Sequence, residues 1–392
     1  MIKFLRGVAF LCTVAFATVF AEPTVVLFND TSAWYHWGCT GTSLALKEEI
    51  RKTGFEIQSF PINVTYSLQE VPSFEEFDAV SSFEKFKTAN PDVVHAIEKS
   101  DAVVITGEGT IHDLRAGPRS LLYLAYISKK QFQKHVEIIN HSAYPKDDPS
   151  LLGNFLNNFK VETDLEDHEL KLAQRIYKQV YKELDFVAIR EKLSQDEMQK
   201  IGISSTLSFD CLPLYIRDNY HTSKNVTKTV VVAGSAAHTE SGVKKLCAYL
   251  DDLAAQGYEI KVLTGAAAYP SRDDAAFISH LQKYTIIDAK SMDEWLDTIN
   301  NASFLVSGRF HHSIAAFCLN TPFIALNSNT HKVHAICQMM DVPAPLLYDD
   351  PDLVSQLKAR TEALSPLNNA TKVEELCTLA LNNFHGLRSL KQ

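Results

Sequence analysis

Short runs of aliphatic and aromatic residues recur along this chain, separated by helix-patterned stretches, and that rhythm constrains the fold more than any other feature. Residues 25–28, 56–60, 102–106, 136–139, 186–189 and 206–209 form the first set of runs. They lack a clean apolar–polar alternation, which predicts strands covered on both faces. Between them lie segments such as 42–53, a helix that Gly54 closes. Strand and helix in regular succession predict a mostly parallel α/β fold.

The rhythm pauses over the polar stretch 216–228 and then restarts. Further strands are expected at 230–233, 260–263, 286–287, 304–306 and 323–326. Val243, Leu246, Leu250 and Leu253 recur at spacings of three and four, the mark of a helix with one apolar face. The chain thus divides into an N-terminal lobe, 22–216, and a C-terminal lobe, 229–392, whose final helix over about 371–384 is expected to dock back on the first. Its 392 residues suffice for two such domains. Two Rossmann-like lobes facing one another put a ligand at the C-terminal ends of the strands, in the cleft between them.

Residues 1–21 read as an export signal. Lys3 and Arg6 precede an apolar run over 7–21 that ends in Val19-Phe20-Ala21, with small residues where signal peptidase needs them. The run is shorter than the roughly 20 residues of a membrane-spanning helix, so no stable membrane insertion is expected after cleavage. The expected location is the secretory pathway, in its lumen or beyond it. Six Asn-X-Ser/Thr sequons agree with export: Asn29, Asn63, Asn140, Asn225, Asn301 and Asn369. Asn29 and Asn140 fall at strand ends, where attachment is least expected. Loss of Lys3 and Arg6 removes two positive charges and takes the formal charge from −9 to −11. So acidic a body argues against nucleic acid as a partner, and any anion must be caught by local groups. The six cysteines beyond the signal show no CxxC spacing, which argues against a zinc site. They read mainly as buried thiols, with room for one or two disulfides.

Three segments at strand ends carry chemistry. In Thr106-Gly107-Glu108-Gly109-Thr110-Ile111-His112-Asp113, the glycines let the backbone approach a ligand and the amides that follow can bind an anion. Glu108, His112 and Asp113 add ionisable groups, although a plain strand–helix turn accounts for the same pattern. In Ser307-Gly308-Arg309-Phe310-His311-His312, the arginine suits a phosphate or carboxylate, and a histidine beside it can move a proton. A helix cap with one buried, satisfied histidine is the plainer reading. The third segment, Asn327-Ser328-Asn329-Thr330-His331-Lys332, offers further donors or simply a helix cap. Asp350-Pro351-Asp352 reads as a helix start, and no HExxH, GxSxG or P-loop motif is present.

Taken together, these blocks resemble the polysaccharide pyruvyl transferase family over nearly the whole chain beyond the signal. The resemblance rests on Trp37-Gly38-Cys39 with Ala45-Leu46, on Gly107–His112, on Ala188-Ile189-Arg190-Glu191 with Ser194, on Asp210, and on Gly308-Arg309-Phe310-His311-His312 ahead of Pro322–Leu326. It implies two facing Rossmann-like lobes of the B-type glycosyltransferase architecture. It also implies transfer of a pyruvyl group from phosphoenolpyruvate onto two hydroxyls of a glycan sugar, giving a ketal. In that scheme His311, then His112 or Glu108, supplies the proton. Arg309, Arg190, Gly107, Gly109, Ser307 and Asn327 hold the donor, with Glu191 positioning Arg190, and neither metal nor cofactor is required. Two other classes fit the same residues: a sugar-nucleotide-dependent glycosyltransferase, and a non-catalytic exported glycan-binding protein.

Overall fold

The computed structural model describes residues 22–33, 36–111, 116–143, 167–235, 237–265, 272–328 and 330–391, so the expected signal lies outside them. All eleven expected strands are present, in two parallel sheets. The first contains β1 (Thr24–Asp30), β2 (Glu56–Pro61), β3 (Ala102–Glu108), β4 (His135–His141), β5 (Phe186–Ile189) and β6 (Thr206–Leu207), in the order β2-β1-β3-β4-β5-β6. The second contains β7 (Thr229–Ala233), β8 (Glu259–Leu263), β9 (Thr285–Ile287), β10 (Phe304–Ser307) and β11 (Phe323–Ala325), in the order β11-β10-β7-β8-β9. Strand order reverses direction beside β1 in one sheet and beside β7 in the other, which opens a crevice at their C-terminal ends.

The missing alternation has a physical cause. Val25 and Leu27 of β1 enter one apolar cluster, whereas Val26 and Phe28 enter another on the opposite face. Val231 of β7 likewise faces inward, with Val230 and Val232 on the outer side. Each strand is therefore apolar on both faces because helices cover both. The edge strands β2, β6 and β9 are exceptions and remain partly open to solvent. Among the described residues no helix is long and apolar enough to cross a membrane.

Three boundaries differ from expectation. The helix expected from residue 42 begins five residues earlier and spans Trp37–Lys52. Gly38 and Gly41 are not loop residues there: each marks a close approach. A Cβ on Gly38 would lie 2.1 Å from the Cβ of His311, and one on Gly41 would lie 2.8 Å from Leu212 Cδ1. The break between the lobes also starts later, because Leu212–Asn219 is helical. At the far end, Ala370–Ala380 continues through a 3-10 turn, Leu381–Phe384, into a further helix, His385–Leu390. This tail lies against the first sheet. Asn383 is fully buried there, accepting from Asn140 N at 2.7 Å and donating to Phe209 O at 3.0 Å. The six described cysteines are free thiols.

The lobes meet closely. Trp37 donates its backbone N–H to Gly265 O at 3.1 Å and its indole N–H to Ala289 O at 3.0 Å, both in the second lobe. One apolar cluster runs from β1 through the helix Leu212–Asn219 to β10. The strand ends of the two sheets thus face one another across a narrow space.

Candidate active site

Arg190 forms the floor of that space. It follows β5 directly and is 2% exposed. Its Nη1 donates to Glu108 Oε2 at 2.6 Å and to Asp210 Oδ2 at 2.9 Å, while Nε donates to Ser142 Oγ at 2.8 Å. The guanidinium also lies 4.4 Å from the ring centre of Phe310, which comes from the opposite lobe. Glu108 ends β3 with a left-handed backbone, φ 46°, a strained conformation for a non-glycine residue that turns the chain sharply. Asp210 uses its other oxygen to accept from Thr42 Oγ1 at 2.8 Å and Leu212 N at 2.9 Å. With Asn140 Nδ2 donating to Glu108 Oε1 at 3.4 Å, each oxygen of the two carboxylates has a donor, as a buried ion cluster requires.

The second lobe closes over this floor with the helix Phe310–Cys318, which opens on Arg309. His311, in its first turn, has a protein group near each ring nitrogen, although Nε2 makes no hydrogen bond. Nε2 lies 3.5 Å from Asp210 Oδ2, and Nδ1 lies 3.8 Å from Cys39 Sγ. Burial works against a charged ring, but the Cys39 sulfur and the Asp210 carboxylate outweigh it and raise the pKa above the ordinary histidine value. The same contact acts in reverse on Asp210: burial opposes its charge, yet His311 and Arg190 hold its pKa below the usual carboxylate range. His312, one residue on, behaves oppositely. Trp295 donates to its Nε2 at 3.1 Å, and burial, with Arg309 and His311 nearby, pushes its pKa down to about 3. The buried, satisfied histidine of the plainer reading is His312, and the charged one is His311.

Lys332 opens the next helix, Lys332–Met339, after β11. Burial, then the neighbouring Arg190 and Arg309, pushes its pKa down to about 8. It makes no ion pair among the described residues. Three cations from two lobes therefore converge with a raised histidine and a thiol. The Cys39, Glu108 and His311 ligand atoms all lie within 4.8 Å of one another.

The other expected residues fall as follows. Gly107 allows β3 to pass His141, since a Cβ there would lie 2.5 Å from the His141 Cβ. Gly109 lies in the turn after Glu108. Ser307 accepts from Arg309 N at 2.9 Å and so shapes the turn that presents the arginine. Asn327 accepts from Tyr348 N at 3.0 Å. His112 and Asp113 lie outside the described residues. Glu191 does not orient Arg190: it caps the helix Lys192–Lys200 by accepting from Ser194 N at 2.7 Å. Cys39 and Asp210, which carry the resemblance without an expected role, lie at the centre of the site, and Lys332, expected only within a donor segment or helix cap, lies beside them. All three sit where a strand or loop hands over to a helix, the position that had already singled out Arg309.

Comparison with known proteins agrees with this geometry. A family model described as polysaccharide pyruvyl transferase matches residues 42–330. The chain belongs to the polysaccharide pyruvyl transferase family. It is accordingly an enzyme of that kind, a polysaccharide-modifying transferase whose acceptor is a glycan. The match spans Glu108, Arg190, Asp210, Arg309 and His311. No curated protein sequence matches the chain. Among solved structures, UDP-N-acetylglucosamine 2-epimerase from Rickettsia bellii is similar with a TM-score of 0.56 at 13% identity, over 94% of this chain and 97% of that one. UGT73P12 of Glycyrrhiza uralensis, complexed with glycyrrhetinic acid 3-O-monoglucuronide, aligns with a TM-score of 0.53 at 8% identity, over 95% and 96% of the two chains. These likenesses are to the fold alone, the B-type glycosyltransferase architecture of this pyruvyl transferase family member.

Proposed function

We propose that this enzyme transfers a pyruvyl group from phosphoenolpyruvate to two hydroxyls of one glycan sugar, forming a ketal and releasing phosphate. The observation that carries the reading is the meeting of Arg309 and Lys332 with the His311–Asp210 pair at a buried floor. Phosphoenolpyruvate carries a phosphate and a carboxylate, which need cations, and an enol carbon, which needs a proton. A site holding both kinds of group in one cleft suits it.

The steps balance as follows. One sugar hydroxyl attacks C2 of the donor and releases its proton, while the C2=C3 electron pair takes a proton at C3. The phosphate then leaves C2 with the C–O bonding pair. The second hydroxyl attacks the resulting cation, and its proton goes to the departing phosphate. His311, held as imidazolium, is the proton source, and Arg309 and Lys332 take the two acidic groups of the donor. Glu108 and Asp210 are too deeply buried to meet the donor directly and instead hold Arg190 and His311 in place.

The test incubates purified protein with phosphoenolpyruvate and galactose- or mannose-ended glycans, following phosphate release and ketal mass gain. Turnover that Arg309→Ala abolishes supports the reading; folded protein that turns over UDP-sugars and never phosphoenolpyruvate refutes it. Export belongs to the same proposal. Asn63 and Asn225 are exposed sequons, whereas Asn29 and Asn140 are fully buried. Peptide mass mapping after secretory expression should find glycans at the first two positions and none at the last two.

A further inference from the structure

Three observations single out Cys39. Nε2 of His311 is buried 3.5 Å from Asp210, and Nδ1 lies 3.8 Å from the Cys39 sulfur, so a protein group flanks each ring nitrogen. Glu108 is 5% exposed and Asp210 fully buried, and both carboxylates accept from Arg190. Cys39 is by contrast only partly buried, and it lies near enough to Lys332 to influence its charge. Asp210, His311 and Cys39 therefore form a line from a buried carboxylate to a partly buried cysteine. The local sequence builds that line. Gly38 carries no side chain to collide with His311, which lets the first turn of the helix Trp37–Lys52 bring sulfur to imidazole.

We infer that Cys39 is a catalytic residue: its sulfur takes the proton of the His311 imidazolium and hands it to the methylene carbon of the donor. The inference rests on the phosphoenolpyruvate reading and goes beyond it, since it moves the atom that meets the substrate from nitrogen to sulfur. In the step, the Nδ1–H bond of His311 breaks as the thiolate becomes a thiol, and the C2=C3 pair then becomes the new C3–H bond while the S–H bond breaks and restores the thiolate. The neutral ring regains its proton from the attacking sugar hydroxyl, so no external acid is consumed. The amide groups at the start of the helix and the adjacent imidazolium steady the thiolate. Asp210 is a positioning residue that keeps the ring charged.

The experiment compares wild-type protein with Cys39→Ala, Cys39→Ser and His311→Gln. The readouts are kcat and KM for phosphoenolpyruvate, melting temperature, and iodoacetamide labelling mapped by peptide mass. The expected result for Cys39→Ala is a fall in kcat of about 10²–10⁴-fold with KM changed by less than about 3-fold. Cys39→Ser, with a much weaker acid of similar shape, is expected to stay as impaired. In native wild type, label should enter Cys39 ahead of the other cysteines, donor should slow it, and activity should fall in step with label. His311→Gln should slow labelling. A Cys39→Ala protein with near wild-type kcat overturns the inference and leaves the donor reading intact. If the variant does not fold, fully labelled wild type that remains active overturns it equally. Turnover that a chelator abolishes and zinc restores also overturns it, because Cys39 is then a ligand. Folded wild type that never consumes phosphoenolpyruvate removes the donor reading and the inference together.

Discussion

Replacing Asp210 by asparagine tests the electrostatic core of the site. The carboxylate lies 3.5 Å from His311 Nε2 in a buried setting. Opposite charges at that distance attract by about 5 kcal/mol at an effective dielectric constant near 20, and measured shifts from such neighbours run at about 1–3 pKa units. The direction is set by His311, whose pKa the fold raises. Its charged form is then retained through neutral pH and lost as pH climbs through the raised value. Asp210→Asn removes the main carboxylate support, so the alkaline limb of kcat should move down by about 1–3 units. An amide oxygen can still accept from Thr42 and Leu212, which preserves the local turn. Its NH2 group faces Arg190 instead of an anion, and Glu108 remains as partner, so a stability loss of about 2–4 kcal/mol is expected. Initial-rate phosphate release from pH 5 to 10, with melting curves alongside, reads both quantities. An unmoved alkaline limb with a uniformly lower kcat would refute the assignment of that limb to the Asp210–His311 pair.

Three further outcomes follow from other contacts. Lys332→Met should raise KM for phosphoenolpyruvate about 10–100-fold without lowering the melting temperature, because the lysine is charged against two arginines. In wild type that KM should climb as pH rises through about 8, where the ammonium is lost, and in the variant it should stay flat. Gly38→Ala sets a methyl group 2.1 Å from the His311 Cβ, so it should force the lobes apart, cost about 1–3 kcal/mol in denaturant melts and suppress turnover. Asn383→Ala strips partners from buried Asn140 N and Phe209 O, and a loss of about 2–4 kcal/mol in the same melts is expected.

Much of the fold was legible because its signals are local. A strand covered on both faces needs apolar residues at consecutive positions, as at Val103, Val104 and Ile105, and the eye finds such runs without a partner sheet. Helix starts were less legible. Gly38 and Gly41 look like loop residues until the crowding of His311 and Leu212 against them is known. The same limit applied to the site. Arg309 and His311 announce themselves as a polar block after a strand, but His311 and His312 are indistinguishable side by side. Only Trp295 on one ring and Asp210 on the other separates the neutral histidine from the charged one.

The sequence by itself determined the two parallel sheets, the strand ends that face the cleft and the residue types gathered there, because hydrophobic burial and turn chemistry act over a few neighbouring positions. Tertiary structure decided which groups share charge and protons. Cys39, Asp210 and His311 are up to 272 positions apart, and their contacts depend on the packing of two lobes. Electrostatic coupling falls off within a few ångströms in space and has no counterpart in sequence spacing, so the relay became visible only when the cleft was closed.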